Sequence, residues 1–181
     1  MKNTNHSLFD KYEMIKDLGT GSSGSVTLVR HISMDQERAL KKVPKASAFA
    51  ESALSEARLL KSLEHPSIPR IFDFEEDDAF YYIVEEYIDG ETLDSFLLHQ
   101  QLISPGLFFN ICEQLCNVFI YLHTQISTPI IYRDLKPEHI IVCHNKLKLI
   151  DFGVSAYVIQ DGNNFNHYGN IEFSAPECFT E

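Results

Sequence analysis

Three glycines near the start of the chain have the spacing of a phosphate-binding loop. They lie in the run Leu18-Gly19-Thr20-Gly21-Ser22-Ser23-Gly24-Ser25-Val26, which has the pattern G-x-G-x-x-G-x-V. Because glycine has no side chain, its backbone amide can approach a phosphate oxygen closely. Dinucleotide-binding turns carry the same glycines but lead into a helix, whereas strand-forming residues follow Gly24. The run therefore predicts a phosphate-binding loop between two strands or a plain hairpin turn.

A lysine and a glutamate are predicted on the apolar faces of two neighbouring elements. Residues 38–43 alternate as in a strand, which places Ala39, Lys41 and Val43 on one face. Residues 49–64 contain an apolar helical stripe, formed by Glu56, Leu59, Leu60 and Leu63. A buried carboxylate without a cationic partner costs several kcal/mol. We therefore expect Lys41 to pair with Glu56, since the rival Lys42 points to the opposite strand face.

The second half of the chain contains three motifs in a fixed order. They are Arg133-Asp134-Leu135-Lys136-Pro137, Asp151-Phe152-Gly153 and Ala175-Pro176-Glu177. The first is more specific than the glycine run, because ordinary residue frequencies make a five-residue match rare by chance. Between the first two, residues 140–143 and 146–151 read as a β-hairpin around His144-Asn145. Antiparallel pairing in this hairpin predicts that His139 and Asp151 are neighbours.

The elements that must position these residues follow from pattern changes along the chain. Five strands are predicted at residues 15–18, 25–29, 38–43, 70–75 and 80–87, with one helix at 49–64. The pattern changes near residues 86–90, where we place the boundary between two lobes. A short helix at 92–98 and a long apolar helix at 104–123 follow, the second with Ser104 and Pro105 as its start signal.

Composition and charge limit the classes of partner. The net charge of −11 argues against a nucleic-acid partner, because such binding requires a surplus of lysine and arginine. Residues 1–11 are polar and no long apolar run occurs, so we expect no membrane partner and a cytoplasmic location. The four cysteines form no C-x-x-C pair, and Cys112 and Cys116 lie in the apolar helix, which favours core packing over a metal site or a disulfide.

With these motifs in this order, the chain resembles the eukaryotic-type (Hanks-type) Ser/Thr protein kinases, bacterial members included, from about Tyr12 to its last residue. The resemblance implies an α+β, bilobal protein-kinase-like fold that follows an N-terminal tail, residues 1–11. We expect a five-stranded antiparallel sheet plus one helix in the N-lobe, residues 12–88. Residues 89–181 then form a partial, mainly helical C-lobe with the catalytic loop and the activation segment.

The same resemblance implies roles for matching positions. Asp134 is the expected catalytic base for a substrate hydroxyl, and Lys136 is the lysine that neutralises charge on the transferred phosphoryl group. Lys41, oriented by Glu56, is expected to grip the α and β phosphates, while Asp151 and His139 occupy the positions that bind Mg²⁺. The residues expected to contact ATP are Leu18, Gly19, Thr20, Gly21, Ser22, Ser23, Gly24, Ser25, Val26, Ala39, Lys41, Glu86, Ile88 and Ile141.

Four positions depart from the family pattern. His139 replaces the asparagine that binds the second Mg²⁺, and because imidazole nitrogen suits softer ions than Mg²⁺, we expect weakened use of Mg²⁺ and partial rescue by Mn²⁺. Asn170 replaces a threonine that braces the catalytic residues, with modest expected damage because asparagine still forms hydrogen bonds. Tyr132 replaces a histidine with another ring, and Glu85 occupies a position at the back of the adenine pocket that is usually apolar.

The chain ends just after Ala-Pro-Glu, where kinases continue with helices that cover the long apolar helix. We therefore expect a truncated domain whose face at residues 107–122 is exposed to a partner or to self-association. The predicted function is ATP-dependent phosphorylation of Ser/Thr in proteins, with the protein substrate unknown. Two alternatives stay open: a pseudokinase or truncated kinase fragment that binds nucleotide or a partner without turnover, and a small-molecule phosphotransferase on a related fold.

Overall fold

Alternating apolar residues in the first half of the chain build one antiparallel sheet. The computed structural model describes residues 7–21, 24–99, 103–158 and 172–176. The strands of this sheet are β1 (Tyr12–Gly21), β2 (Gly24–His31), β3 (Gln36–Pro44), β4 (Ile71–Glu76) and β5 (Phe80–Glu86). They lie in the order β1-β2-β3-β5-β4, and neighbours pair antiparallel. The predicted five-stranded antiparallel sheet is confirmed.

One face of this sheet is covered by a segment that the sequence assigned to a tail. Leu8–Lys11 form a short helix, α1, capped by the hydroxyl of Ser7. Leu8 is 1% exposed and belongs to a buried cluster that consists of Leu8, Tyr12, Val29, Leu40, Tyr82 and Val84. Lys11 Nζ lies 2.7 Å from Asp73 Oδ2, a hydrogen bond that raises the pKa of Lys11. Residues 8–11 are therefore part of the packed unit, although one helical turn is too short to give a periodic signal.

The other face of the sheet carries helix α2 (Ala50–Lys61), which lies within the helix expected at residues 49–64. Helix and sheet meet in a second buried cluster, formed by Val43, Ala53, Ala57 and Ile83. The small alanine side chains allow α2 to lie close to β3 and β5. This packing fixes which α2 side chains face β3, and Glu56, 8% exposed, is among the buried residues of the helix.

Contacts divide the chain into two units, Met1–Ser62 with Arg70–Tyr87 and Leu63–Pro69 with Ile88–Glu181. The segment Leu63–Pro69, which the sequence placed in the first lobe, belongs to the second unit. Its backbone is bonded there, because Leu149 donates its N–H to Ser67 O at 2.8 Å. Sequence periodicity did not predict that this segment belongs to the second unit, since its own atoms in these bonds are backbone atoms: the Glu64 N–H donates to the Tyr121 hydroxyl at 2.8 Å, and Lys148 Nζ donates to Ile68 O at 3.4 Å.

The second unit contains helices and two small sheets. Its elements are β6 (Glu91–Thr92), α3 (Leu93–His99), α4 (Pro105–Ile120), β7 (Ile130–Ile131), β8 (Ile140–Cys143), β9 (Lys146–Leu149) and β10 (Ala156–Tyr157). A π-helical turn, Tyr121–Gln125, continues α4, and a 3₁₀ turn, Pro137–His139, precedes β8. Strands pair in the orders β6-β8-β9 and β10-β7. The predicted hairpin around His144-Asn145 is thus the β8–β9 pair, which carries His139 at its start.

Helix α4 is apolar on two sides and buries only one of them. Ile111 and Val118 are buried, whereas Phe108, Phe109 and Ile120 are 53%, 68% and 49% exposed. An exposed apolar face in residues 107–122 is therefore present, as expected. Cys116 is also exposed, so the expected core packing of this cysteine is wrong. Periodicity could not predict which cysteine is exposed, because the sequence of a helix that is apolar on two sides does not show which side is buried.

Within the described residues, no helix combines the length and the apolar character that crossing a membrane requires.

The surroundings of His65 favour its neutral form. Its Nδ1 accepts the Ser67 N–H at 3.1 Å, and its ring centroid lies 5.2 Å from that of Tyr121. Burial lowers the pKa of His65 below its usual value of 6.5, and the charge of Lys148 lowers it further. The unfolded chain therefore binds this proton more readily than the folded chain. Stability from this site is fully present above pH 6.5 and is lost as the pH falls below that value.

We expect His65→Gln to reduce the loss of thermal stability on acidification. Glutamine takes up no proton between about pH 7.5 and about pH 5.5, and its side-chain oxygen can still accept the Ser67 N–H. The fall in melting temperature between these two pH values should be smaller in His65→Gln than in the wild type. His144→Gln, at an exposed position, is the matched control. Equal falls in the wild type and His65→Gln would contradict the neutral-histidine assignment.

Candidate active site

The glycine run forms the closed end of the β1–β2 hairpin. Its paired residues are Gly19 with Val26, Thr20 with Ser25 and Gly21 with Gly24. Gly24 has a φ of 144°, and a Cβ there would lie 2.1 Å from the carbonyl oxygen of Lys42. Leu18, beside the loop, is 39% exposed. Ser22 and Ser23, which are also expected to contact ATP, lie outside the described residues. The hairpin thus reaches β3 at a point where only glycine fits.

The expected pair of Lys41 and Glu56 is present in the first unit. Lys41 Nζ lies 2.8 Å from Glu56 Oε2, and these side chains are 19% and 10% exposed. Lys42 lies on the opposite strand face, with its Nζ 4.0 Å from the centre of the Phe80 ring. The pair fixes Lys41 on the side of the sheet that α2 covers. A charge-assisted hydrogen bond with this little solvent exposure is strong and holds the lysine side chain in one position.

Three further residues expected at the nucleotide site share the sheet with Lys41. Val26 lies directly opposite Lys41 on β2. Ala39 precedes Lys41 by two residues, so it lies on the same strand face, and it is 7% exposed. Glu85 lies opposite Ala39 at the end of β5, followed by Glu86. The sheet therefore presents two small apolar side chains and the Lys41 ammonium group on one face.

Two other expected ATP contacts lie in the second unit. Ile88 accepts the Gly90 N–H at 3.0 Å through its carbonyl oxygen. A Cβ on Gly90 would lie 2.5 Å from the Val142 carbonyl oxygen, so glycine allows this segment to lie against β8. Ile141 lies on β8, opposite Lys148 of β9.

A carboxylate and an ammonium group face each other in the loop before the 3₁₀ turn. Lys136 Nζ lies 3.1 Å from Asp134 Oδ2, and the two side chains are 22% and 19% exposed. Arg133, just before Asp134, has a φ of 74°, in the left-handed region that non-glycine residues rarely adopt. Such backbone strain is common at functional sites and persists only where surrounding structure imposes it.

His139 connects this loop to the second carboxylate. Its Nδ1 lies 3.0 Å from the carbonyl oxygen of Asp134 and 3.4 Å from Asp134 Oδ2. Its Nε2 lies 3.3 Å from Asp151 Oδ2. The backbone of His139 is also fixed, because its N–H donates to the Lys136 carbonyl oxygen at 3.0 Å. The predicted proximity of His139 and Asp151 is confirmed, but the contact of the ring with Asp134 was not foreseen.

Asp151 projects from a strained turn that buried aromatic rings support. It has a φ of 61°, and its side chain is 53% exposed. The next residue, Phe152, is 1% exposed, with its ring 5.0 Å from that of Tyr132. The Tyr132 hydroxyl donates to the Ile150 carbonyl oxygen. The sequence analysis treated Tyr132 only as a ring that replaces a histidine and did not predict this bond. A buried tyrosine hydroxyl usually requires a partner, which is the signal that could have predicted this bond.

The second unit contains side chains that can perform three chemical tasks. A carboxylate at Asp134 can accept a proton from a hydroxyl, while the nearby Lys136 ammonium group stabilises negative charge that develops beside it. Asp151, with its exposed carboxylate, can bind a divalent ion. Asn170, expected to brace the catalytic residues, and Glu177 of the third motif lie outside the described residues. Lys41 lies in the first unit, where its partner Glu56 also lies.

Comparison with known proteins identifies a family to which the chain is similar. The protein kinase domain family matches residues 12–181. The chain is 31% identical over 176 residues to the serine/threonine-protein kinase PrkC of Bacillus subtilis and 34% identical over 167 residues to the serine/threonine-protein kinase ppk25 of Schizosaccharomyces pombe. It is 32% identical over 192 residues to calcium-dependent protein kinase 4 of Plasmodium falciparum.

The matches cover most of this chain but a minor part of each relative. They include 92%, 90% and 98% of the chain and 26%, 39% and 35% of PrkC, ppk25 and calcium-dependent protein kinase 4. The family match begins at β1 and includes both groups of charged residues described above. The chain therefore belongs to the protein kinase domain family.

Proposed function

We propose that this chain is an ATP-dependent protein Ser/Thr kinase, which transfers the γ-phosphoryl group of ATP to hydroxyl groups of proteins. The observation that carries the proposal is the Asp134–Lys136 pair, whose Oδ2 and Nζ lie 3.1 Å apart. Asp134 would accept the proton of the substrate hydroxyl as that oxygen attacks the γ-phosphorus, while the bond from this phosphorus to the β–γ bridging oxygen breaks and ADP leaves. Lys136 would neutralise charge on the phosphoryl group in transfer.

Residues of the first unit support the proposed binding of ATP. Lys41, held by Glu56 at 2.8 Å, would bind the α and β phosphates. The glycine hairpin would cover the phosphates with backbone N–H groups, and Val26 and Ala39 would contact the adenine ring with Ile141. Glu86 and Ile88 would supply the backbone hydrogen bonds to adenine.

The residues of the second unit fit a nucleotide-bound Mg²⁺ ion held by Asp151. Within the described residues, no group of three or more His, Cys, Asp or Glu side chains is arranged to hold an ion by itself. Phosphate oxygens and water are the ligands that Mg²⁺ takes in nucleotide sites, beside one or two carboxylates. The ion would supply positive charge at the β and γ phosphates.

A second candidate function, a pseudokinase that binds nucleotide or a partner without turnover, rests on two observations. His139 supplies an imidazole where kinases use an oxygen ligand, and the exposed face of α4 with Phe108 and Phe109 is open to a partner or a second copy. The intact charges at Lys41, Glu56, Asp134 and Asp151 favour the enzyme.

We also propose a cytoplasmic location.

The test is transfer of label from γ-labelled ATP by the purified full chain, to itself and to a mixture of basic and acidic proteins. We expect label on serine and threonine after acid hydrolysis, since Lys136 occupies the position of the lysine typical of Ser/Thr kinases and the relatives named above are serine/threonine-protein kinases. EDTA should abolish transfer and added Mg²⁺ should restore it, because the phosphates require a divalent ion. Transfer activity must co-elute with the chain on gel filtration and must fall in the Asp134→Asn variant prepared in the same way, which excludes a contaminating kinase. Nucleotide binding without transfer in all fractions would select the pseudokinase.

A further inference from the structure

A groove in the first unit lies beside the closed end of the β1–β2 hairpin. Its volume is about 560 Å³, and it is bounded by that hairpin, by β3 and by the loop that follows β3. All of its lining residues belong to the first unit. Small-molecule sites have volumes of about 300–1,000 Å³. The groove is therefore large enough for a small organic ligand.

Three of the lining residues form a row across the sheet. Thr20 lies opposite Ser25 in the β1–β2 pair, and Ser25 lies opposite Lys42 in the β2–β3 pair. Directly opposed residues of antiparallel strands project to the same side of a sheet. Lys41, next to Lys42 in the strand, therefore projects to the other side, where it contacts Glu56. The groove thus lies on the sheet face opposite to the Lys41 ammonium group, although the glycine hairpin borders both sides.

Lys42 places an ammonium group in this groove without a carboxylate partner. Its Nζ lies 4.0 Å from the centre of the Phe80 ring, which also lines the groove, and 5.9 Å from the centre of the Tyr82 ring. Within the part of the chain that the structure describes, no Asp or Glu oxygen lies within ion-pair distance of this Nζ, whereas Lys45 pairs with Glu76. Attraction to the two ring faces holds the ammonium group in position and leaves N–H donors for an anion.

Hydroxyl groups from three elements add further donors. Ser47, in the loop after β3, accepts the Phe49 N–H through Oγ at 3.1 Å, so its own hydroxyl proton can be donated to a ligand. Thr20 of β1 and Ser25 of β2 supply two more hydroxyls. The described lining contains no Asp or Glu, although the chain has 26 acidic residues and 15 basic ones. The groove is therefore a locally positive, donor-rich site in an acidic protein.

We propose that this groove binds a phosphomonoester, with the Lys42 ammonium group and the three hydroxyls donating to the phosphate oxygens. A phosphomonoester has three terminal oxygens, which suit donors on three different elements better than the two coplanar oxygens of a carboxylate. The Phe80 ring and Pro44 supply apolar surface for the carbon part of the ligand. Free organic phosphates and phosphorylated protein side chains both present this group. The site goes beyond the proposed function and does not depend on it.

The experiment titrates the ¹⁵N-labelled full chain with glycerol 3-phosphate and, separately, with a phosphoserine tripeptide, and follows the backbone amide signals by NMR. We expect the signals of Gly21, Ser25, Lys42 and Ser47 to shift, because their residues line the groove. Signals around Asp134 should stay in place. Glycerol and the unphosphorylated tripeptide should cause no shifts. A non-hydrolysable ATP analogue with Mg²⁺ at saturation should leave the ligand-induced shifts unchanged, because the groove lies on the other face of the sheet.

Substitutions of two lysines test the source of the affinity. Lys42→Met should weaken binding of both ligands by about tenfold or more, because a charge-assisted hydrogen bond to phosphate is lost. Lys42→Arg should bind within about threefold of the wild type, since a guanidinium group also binds phosphate. The matched control is Lys45→Met, because Lys45 Nζ likewise lies over a ring, 5.0 Å from the centre of Tyr81, but does not line the groove. This control should bind as the wild type does.

The outcomes separate this inference from its alternatives. An absence of shifts with both ligands, or equal binding by Lys42→Met and the wild type, overturns it. Displacement of the ligand by the ATP analogue also overturns it, because the ligand then occupies the nucleotide site. Glycerate that binds as tightly as glycerol 3-phosphate overturns the assignment to phosphate.

Two results support the inference and identify the source of the ligand. Binding of the phosphoserine tripeptide about tenfold more tightly than glycerol 3-phosphate identifies a phosphorylated protein, and equal or weaker binding of the tripeptide identifies a free organic phosphate. The wild-type shifts decide the matter even if Lys42→Met fails to fold. A chain that binds the phosphomonoester in this groove but transfers no label from ATP contradicts the kinase proposal alone.

Discussion

Asp134→Asn is expected to reduce label transfer from ATP by about a hundredfold to ten-thousandfold, the range that general acid–base catalysis contributes. Asparagine has the size of aspartate and can still accept a hydrogen bond from Lys136, which lies 3.1 Å from Oδ2 in the wild type. It cannot accept a proton. Affinity for a fluorescent ATP analogue should therefore stay within about threefold, because the change affects the substrate hydroxyl and not the nucleotide.

The control for this variant is Asp35→Asn. Asp35 lies in an exposed turn, with its side chain 83% exposed and a φ of 48°, so asparagine fits the same backbone conformation. Its transfer rate should equal that of the wild type. Transfer by Asp134→Asn at the wild-type rate, in protein with a normal melting temperature, would remove Asp134 from the role of catalytic base.

Periodicity predicted the first unit well because its elements alternate between buried and exposed sides. The strand faces of β3 and the stripe on α2 follow directly from spacing, and the need to neutralise a buried charge then identified the Lys41–Glu56 pair. Helix α1 was not predicted from the sequence, because a single helical turn with Leu8 as its buried residue has no periodic pattern. The prediction that Cys116 is buried was wrong because α4 is apolar on both sides, so its sequence does not show which side faces the core.

The second unit shows where sequence reasoning about a site stops. Pairing in the β8–β9 hairpin was enough to place His139 beside Asp151. The contact of His139 Nδ1 with the Asp134 carbonyl oxygen depends on the 3₁₀ turn and on the ring orientation. Neither follows from residue spacing. Only the folded structure therefore shows that these two atoms lie within hydrogen-bonding distance.

Lys41→Met is expected to abolish phosphoryl transfer and also to destabilise the first unit. The substitution leaves Glu56, whose side chain is 10% exposed, without its partner at 2.8 Å. Removal of one member of a buried ion pair costs about 3–5 kcal/mol because the remaining charge stays buried. Urea unfolding should show a loss near the lower end of that range, since Lys41 is 19% exposed. The matched control is Lys45→Met, which breaks the more exposed Lys45–Glu76 pair at 2.7 Å and should cost far less stability than Lys41→Met, because an exposed ion pair contributes little.

The double variant Lys41→Met/Glu56→Leu separates the two roles of the lysine. Replacing a buried ion pair by apolar side chains is often neutral or stabilising, so the double variant should recover most of the stability lost in Lys41→Met. It should not recover phosphoryl transfer, because the cation that binds the phosphates is absent. Recovery of transfer together with stability would mean that Lys41 serves the fold alone. Wild-type stability of Lys41→Met would instead show that the stability of the first unit does not depend on the Lys41–Glu56 pair.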